Sequence, residues 1–529
     1  MAGLTASAGD DGPAVRLAEL VAALSLGVDL GFGQPMEHVL RQCMIALRLA
    51  ERIGLSDAER SVVYYTALLV NVGCHADAHE QAKWFGGDIE LRSHKYDHPP
   101  RSIAGVAASL RLVGSGNPPL HRFRVGLEFG LSGFRDLGGM IAAHAALARA
   151  LAVELGLPEG VQDAVGASYE QWDGRGWPGH RSGESVPIAS RLAQLAEYAE
   201  VAHRVGGLAA AELLARERGG SQFDPLLAKL LGQDAEALLG GLDDTPTWDA
   251  VIAAEPALGV TLRGPQLDAA LLAVANFVDL KSPWRLGHAR ATAELAGAAA
   301  AGLGLTPDDV RAARRAGLVC GFGRLGVSNS IWDKRGPLGS GERERVRLHP
   351  YLAERMLHQS AWLGPLGSLA VQQRECLDGS GYPRGLSGAA ISAPARILGA
   401  ADAYQAMRER RPYRSALPAS EAVSELRAEV RAGRMDADAV EAVLSAAGHR
   451  AARRRGGAGG LTGRELEVLR LATRGLSSRQ IAAGLGISPK TARNHIEHIY
   501  AKIGASSRAQ ASLFAMQHGL LPEEEYLQP

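Results

Sequence analysis

Along most of the chain, apolar residues recur at three- and four-residue intervals, the period of an amphipathic helix, and strand-like alternation is nearly absent. Gly and Pro clusters interrupt this pattern at short intervals, so the sequence predicts a succession of short and medium helices and an all-α fold. The plainest case lies near the carboxyl end, where Ala492, Ile496, Ile499 and Ile503 form one apolar stripe. That stripe turns Lys490, Thr491, Arg493, Asn494 and Glu497 outward. Ser488 is a good N-cap for this helix and Pro489 fits its first turn. Two capping boxes, Thr462 with Glu465 and Ser477 with Gln480, open two shorter helices before it.

The first 430 residues contain a repeat. Val28-Asp29-Leu30 and His38 return as Val278-Asp279-Leu280 and His288, an offset of 250 (278−28). Further on, Glu170-Gln171-Trp172-Asp173-Gly174 returns as Glu375-Cys376-Leu377-Asp378-Gly379, and His144 returns as His349, an offset of 205 (375−170). Two constant offsets imply two copies of one unit, with 45 (250−205) extra residues in the first copy, near 75–135.

The run Glu375-xx-Asp378-Gly379-Ser380-Gly381-Tyr382-Pro383, continued by Ala395-Arg396-Ile397-Leu398, Ala401-Asp402 and Arg411-Pro412-Tyr413-Arg414, resembles the HD-GYP branch of the HD phosphohydrolase superfamily. The resemblance covers 263–430 well and 14–206 more weakly. It implies helical domains that hold two or three metal ions and hydrolyse cyclic dinucleotides, the metals binding phosphate and activating water. The family's His-Asp pair falls at Leu318-Val319-Cys320-Gly321-Phe322-Gly323-Arg324, and its His-His-Glu falls at Gln373-Arg374-Glu375. Of the ligand set only His288, His349 and Asp402 remain, and the two histidines read equally as helix-packing or capping residues. In the first copy the corresponding places read Val70-Asn71, Ser168-Tyr169 and Glu197, leaving His38 and His144. The expectation is a hydrolase fold without hydrolysis. The Asp378 turn is either scaffold or, with Arg374, part of a pocket that also takes in His288, His349, Glu375 and Asp402 and receives a phosphorylated ligand. Cys320 reads as a small buried hydrophobe rather than a soft ligand.

Leu461-Thr-Gly-Arg-Glu465-Leu-Glu-Val-Leu469, Gly475-Leu-Ser, Gln480-Ile-Ala, Ile487-Ser-Pro-Lys490-Thr491, Asn494-His495 and Lys502-Ile-Gly504 resemble the LuxR-type DNA-binding domain. The resemblance implies a four-helix helix-turn-helix domain whose third helix enters the major groove and whose last helix, Ala509 to His518, pairs two subunits. Arg493 and Asn494 are the candidate base readers. Lys490, Thr491 and Lys502 are candidate phosphate contacts, and Glu497 accepts from cytosine or is solvated.

The expected layout is two HD-domain-like units, 14–206 and 263–430, joined by a helical connector, 207–262. A Gly/Arg-rich linker, 431–460, and the LuxR-type domain, 461–522, complete it. Among 529 residues, 57 Lys+Arg balance 57 Asp+Glu, but the zero conceals a division. From Arg450 to Pro522 twelve Lys+Arg face three Asp+Glu, so the DNA-binding end is basic and the rest acidic. No apolar run is long enough to span a membrane, Met1 to Pro13 lacks the pattern of a signal peptide, and Cys43, Cys74, Cys320 and Cys376 form no CxxC pair, so a cytoplasmic location with reduced thiols is expected. The insertion holds His75, His79, His94 and His98 at no metal-binding spacing and reads as a solvated loop.

Together these features predict a homodimeric transcriptional regulator that binds double-stranded DNA and receives a phosphorylated or cyclic nucleotide, with no cofactor. The alternative is a phosphodiesterase requiring a divalent metal, held in part by His288, His349 and Asp402, fused to a DNA-binding domain.

Overall fold

The computed structural model describes residues 14–449 and 461–520, apart from 99–101, 116–117, 130–133, 243, 245, 462, 474, 506 and 519. It divides into two compact units at Gly448/His449. Among the described residues helices carry nearly all the secondary structure, and the sheet is one antiparallel pair, Val15–Arg16 against Thr261–Leu262, which joins the start of one copy to the start of the other.

The repeat is visible at the level of helices. His38–Arg52 and Asp57–Leu69 match His288–Gly302 and Pro307–Val319, and the 3-10 turn Gly183–Ser185 matches Gly388–Ala390. The same residues begin these elements in both copies. Asp29 Oδ1 accepts from Val39 N at 3.1 Å, and Asp279 Oδ2 accepts from Ala289 N at 2.8 Å, so each Val-Asp-Leu motif satisfies an orphan amide at the start of the His-bearing helix. Ser56 and Thr306 cap the next helix in the same way. At the far end, Arg191 binds Asp224 at 2.6 Å and Arg396 binds Asp436 at 3.0 Å, each Asp also accepting from amides of the helix that follows it.

These last pairs extend each unit beyond the expected boundaries. Residues 207–262, expected to be a connector, hold Phe223, Leu231, Leu239, Trp248 and Val251, all buried in the main core. Residues 431–448, expected to begin the linker, instead carry the helix Ala437–Ala446, which buries Val440, Val443 and Leu444 in that core. Burying three such side chains at roughly 1.5–3 kcal/mol each outweighs the local excess of small residues. Arg450–Gly460, the expected tether, lies outside the described residues. The two copies share one core, which runs from Val15 to Leu444.

The insertion is not a solvated loop. It forms helices Ala78–Phe85, Asp88–Ser93, Ile103–Leu112 and Pro119–Glu128, and its first two bind the second copy. Asp88 pairs with Lys281 Nζ at 2.8 Å, with both side chains almost wholly buried, and Asp88 also accepts from Ser328 Oγ and Asn329 N. His75 Nε2 meets the Phe277 carbonyl at 2.7 Å and His79 Nδ1 meets Asp333 at 2.8 Å. His75 and His79 of the insertion therefore bind across the copies. Trp84, Phe85, Val113, Val125 and Phe129 form a separate small core within the insertion.

Among the described residues the second unit has four helices, Gly463–Thr473, Ser478–Leu485, Pro489–Ile503 and Arg508–Gln517, around Leu461, Leu469, Ile481, Ala492, Ile499 and Ala515. The Ser477–Gln480 capping box is present, and Gly486 and Gly504 end two of the helices at φ 65° and 66°, where a Cβ would be strained. Of the Thr462–Glu465 box, Thr462 lies outside the described residues and Glu465 holds Lys502.

Candidate functional site

In the carboxyl-terminal copy the chain brings His288, Arg374 and Asp402 together. His288 sits between two carboxylates, with Nε2 2.9 Å from Asp402 and Nδ1 2.8 Å from Glu409. Arg374 is ion-paired with the other oxygen of Asp402. Burial alone would raise Asp402, but Arg374, His288 and Arg285 together hold it well below the usual carboxylate range. Arg285 and Arg411 approach from the same side. Arg411 binds Glu409 at 2.7 Å, and Arg285 lies 3.7 Å from Asp279. The Arg324 guanidinium stacks 3.4 Å from the Trp332 ring centroid.

His349 is buried, with Nδ1 2.7 Å from the Val346 carbonyl and its ring edge-on to Trp332 and Tyr382. Burial, with Arg324 and Arg374 nearby, depresses it well below the ordinary imidazole value. Gly323 lets the turn that carries Arg324 press against this helix, because a Cβ there would stand 1.9 Å from the His349 carbonyl oxygen. Gln373 donates to the Cys320 carbonyl at 3.0 Å, and burial pushes the Cys320 thiol up to about 12. Glu375 and Asp378 do not join the cluster. Glu375 accepts from Arg384 N and Leu386 N, and exposed Asp378 accepts from Ser380 N and Oγ, so both shape the Gly-rich turn. Glu170 does the same in the first copy, accepting from Gly179 N and His180 N.

The amino-terminal copy repeats the arrangement with other residues, most of which carry no motif. Glu197 takes the place of Asp402 and accepts from Asn71 Nδ2 at 2.5 Å, Tyr96 OH at 2.8 Å and Lys95 Nζ at 2.6 Å. Lys95 and Tyr96 come from the insertion. Burial would raise Glu197, but Lys95 outweighs it and lowers the carboxylate. His38 is ion-paired with Glu200 and also touches Tyr96 OH. His144 Nε2 lies 2.8 Å from Asp77, and Cys74 Sγ lies 2.8 Å from Tyr169 OH. Burial disfavours the charged form of His144, yet Cys74 and Asp77 lift it to about 10.

Beside this cluster the insertion encloses a cavity of about 760 Å³, lined by Cys74, Lys95, His144, Tyr169 and Glu197 among others. Sequence reasoning placed a ligand pocket in the other copy, where the cleft beside Arg285 and Arg324 is about 10 Å³. Lys95 was missed because it belongs to no motif, and its only signal was its position in the extra segment. Among the described residues no group of three His, Cys, Asp or Glu could hold a metal ion.

In the second unit Lys490, Thr491, Arg493, Asn494 and Glu497 are all exposed on one face of Pro489–Ile503. Thr491 Oγ1 also bonds Ser488 Oγ at 2.8 Å within the cap. Lys502 lies apart from them and is held by both oxygens of Glu465 at 2.8 Å, tying this helix to Gly463–Thr473.

Comparison with known proteins agrees with this division. Residues 273–439 match the HD domain family, and residues 460–515 match the luxR family of bacterial regulatory proteins. The chain is 31% identical over 412 residues to the 3′3′-cGAMP-specific phosphodiesterase 3 of Vibrio cholerae, covering 77% of this chain and 90% of that protein. A crystal structure of a cyclic GMP-AMP specific phosphodiesterase from V. cholerae superimposes with a TM-score of 0.57 at 27% identity, covering 82% of this chain and 98% of that one. The carboxyl-terminal part is 44% identical over 61 residues to the transcriptional regulatory protein YdfI of Bacillus subtilis, 12% of this chain and 29% of that protein.

Proposed function

Because this chain belongs to the HD-domain family of the V. cholerae 3′3′-cGAMP phosphodiesterases and ends in a luxR-family DNA-binding domain, we propose that it is a transcriptional regulator whose tandem HD module receives a signal instead of hydrolysing a substrate. The observation that carries this reading is the fate of the two equivalent carboxylates. Glu197 is neutralised by Lys95, and Asp402 by Arg374.

A metal pair in this family needs imidazoles and carboxylates converging on cations. Here a side-chain cation occupies the carboxylate in each copy, and Gln373 binds a backbone carbonyl instead of offering an imidazole. The residues present therefore do not fit a metal pair, and the reading routes no step through one.

The crowd of Arg285, Arg324, Arg374 and Arg411 suits phosphate recognition. Burial, with Arg285, Arg411 and Arg374 nearby, holds Arg324 well below its ordinary value, which an anion would relieve. The proposed ligand is accordingly a phosphorylated or cyclic nucleotide, which, the cleft there being about 10 Å³, acts by favouring a more open arrangement of the module over this one. By analogy with LuxR-type domains the chain works as a homodimer on a near-palindromic site. Among the described residues no helix is long and apolar enough to cross a membrane, and a cytoplasmic regulator is the proposed setting.

The similarity to phosphodiesterases keeps hydrolysis as the competing reading. Full-length protein purified without chelator and analysed for metal, then incubated with 3′3′-cGAMP and cyclic di-GMP, decides between them. The expected result is no bound metal and no product, with specific DNA binding whose affinity changes with a nucleotide. Metal retention with turnover would overturn it, and DNA affinity indifferent to every nucleotide would leave a constitutive DNA-binding protein.

A further inference from the structure

The large cavity lies in the amino-terminal copy, away from the arginine cluster, and its origin is local. The helices Ile103–Leu112 and Pro119–Glu128 follow the aromatic core of Trp84, Phe85 and Phe129 instead of closing onto the main core. The space left between the two cores is about 760 Å³, within the roughly 300–1,000 Å³ usual for small-molecule sites and far above the voids of a close-packed interior.

Its walls are mainly apolar, with Phe85, Leu91, Val106, Phe129, Ile141 and Trp177 among them. Among the described residues its charged groups are Arg92, Lys95, Arg111 and Glu197, beside the histidines His94, His98 and His144. Lys95 is engaged by Glu197 and Asn71, and His144 by Asp77. Arg92, only 6% exposed, also lines the cavity. Its Nε donates to Gln81 Oε1 at 2.9 Å and its Nη1 to the Gly31 carbonyl at 3.3 Å, with Asp88 3.6 Å from Nη1. Its Nη2 has no hydrogen-bond partner among the described residues. A buried guanidinium N–H without an acceptor is costly and calls for an anionic oxygen.

We propose that this cavity is a second ligand site, taking a small organic acid with a bulky apolar body whose anionic head meets Arg92. The chemistry differs from that of the arginine cluster. The walls carry scattered polar groups, Arg111, His94 and His98 among them, but most of their surface is apolar and Arg92 is the deeply buried cation with an unpartnered N–H, so an aromatic or acyl carboxylate suits them better than a cyclic dinucleotide with two phosphates and polar edges throughout. The site rests on the reading of the module as a receiver only for its effect on DNA, not for binding.

The test titrates the full-length chain with anilinonaphthalene sulfonate, an aromatic anion. Saturable binding of one molecule per chain is expected, displaced by decanoate but not by decanol or inorganic phosphate. Ala108→Trp, which fills the cavity from a wall helix without removing an ion pair, is expected to abolish binding in a chain with an unchanged thermal transition. Arg92→Leu is expected to weaken it about tenfold or more. Absence of binding, equal displacement by decanol, or binding that survives Ala108→Trp would each overturn the site. Promoter affinity with and without decanoate is measured separately. Binding without an effect on DNA retains the site and sinks only the sensory reading.

Discussion

Glu197 and Asp402 stand at the same place in the two copies, and each carboxylate is met by a cation from the chain itself, Lys95 from the insertion and Arg374 from the segment before the Gly-rich turn. The two solutions arose from different segments, which shows that the requirement is for charge at that point rather than for one residue. Removing Arg374 leaves Asp402 buried with His288 and the more distant Arg285 opposite. Because Arg374 is itself about a third exposed, Arg374→Ala is expected to cost about 3 kcal/mol, the low end for breaking a buried pair. Urea unfolding measures it, and a loss below about 1 kcal/mol would show that Asp402 does not depend on this partner.

The insertion is predicted to be structural as well as a cavity wall. Asp88 and Lys281 are paired across the two copies with side chains 0% and 4% exposed. Lys281→Ala strands a carboxylate that burial would raise but that Lys281 and Arg92 hold at about 2, so a loss of about 3–5 kcal/mol is expected. Lys281→Met combined with Asp88→Leu should recover part of it. Differential scanning calorimetry of the single and double variants checks both values.

Asp29 sets a pH dependence. Burial raises it from 3.8 to about 7, and its Oδ2 has no hydrogen-bond partner among the described residues. Between those values the unfolded chain releases the proton and the folded chain keeps it, so this group's stabilising contribution is full below about pH 4 and is lost as the pH rises through about 7. Asp29→Asn keeps the bond from Val39 N without the titration. The unfolding free energy of the parent should therefore fall relative to the variant across that window, by at most about 1.4 kcal/mol per pH unit, and its melting temperature with it. Parallel pH profiles for the two chains would refute the assignment.

Arg493 and Asn494 are exposed beside buried Ala492 on the helix expected to enter the major groove. Arg493→Ala with Asn494→Ala should abolish sequence preference in a footprinting assay while leaving the thermal transition unchanged. At about 1–3 kcal/mol for each lost base contact, affinity for the specific site should fall at least tenfold. Lys502→Ala, by contrast, removes a tie to Glu465 and should register mainly in the stability of the second unit. An unchanged footprint in the double variant would move the recognition surface elsewhere.

The sequence by itself determined what local chemistry governs. Helical periodicity, Ser and Asp caps, and the glycines of tight turns act within a few residues of themselves, so the all-α fold, the repeat and the exposed face of Pro489–Ile503 were legible from the letters. That Gln373 and Arg374 stand where the resemblance implies two histidines was legible for the same reason. Tertiary structure alone decided where unmatched residues went. Lys95 meets Glu197 across 102 residues and Asp88 meets Lys281 across 193, and no local pattern encodes such a meeting. It also decided that Glu375 and Asp378 serve the turn, that Lys502 is held by Glu465, and that the large cavity belongs to the amino-terminal copy. Each outcome depends on which buried charges and apolar faces find partners once the helices pack, an energy set by distance in space and not along the chain.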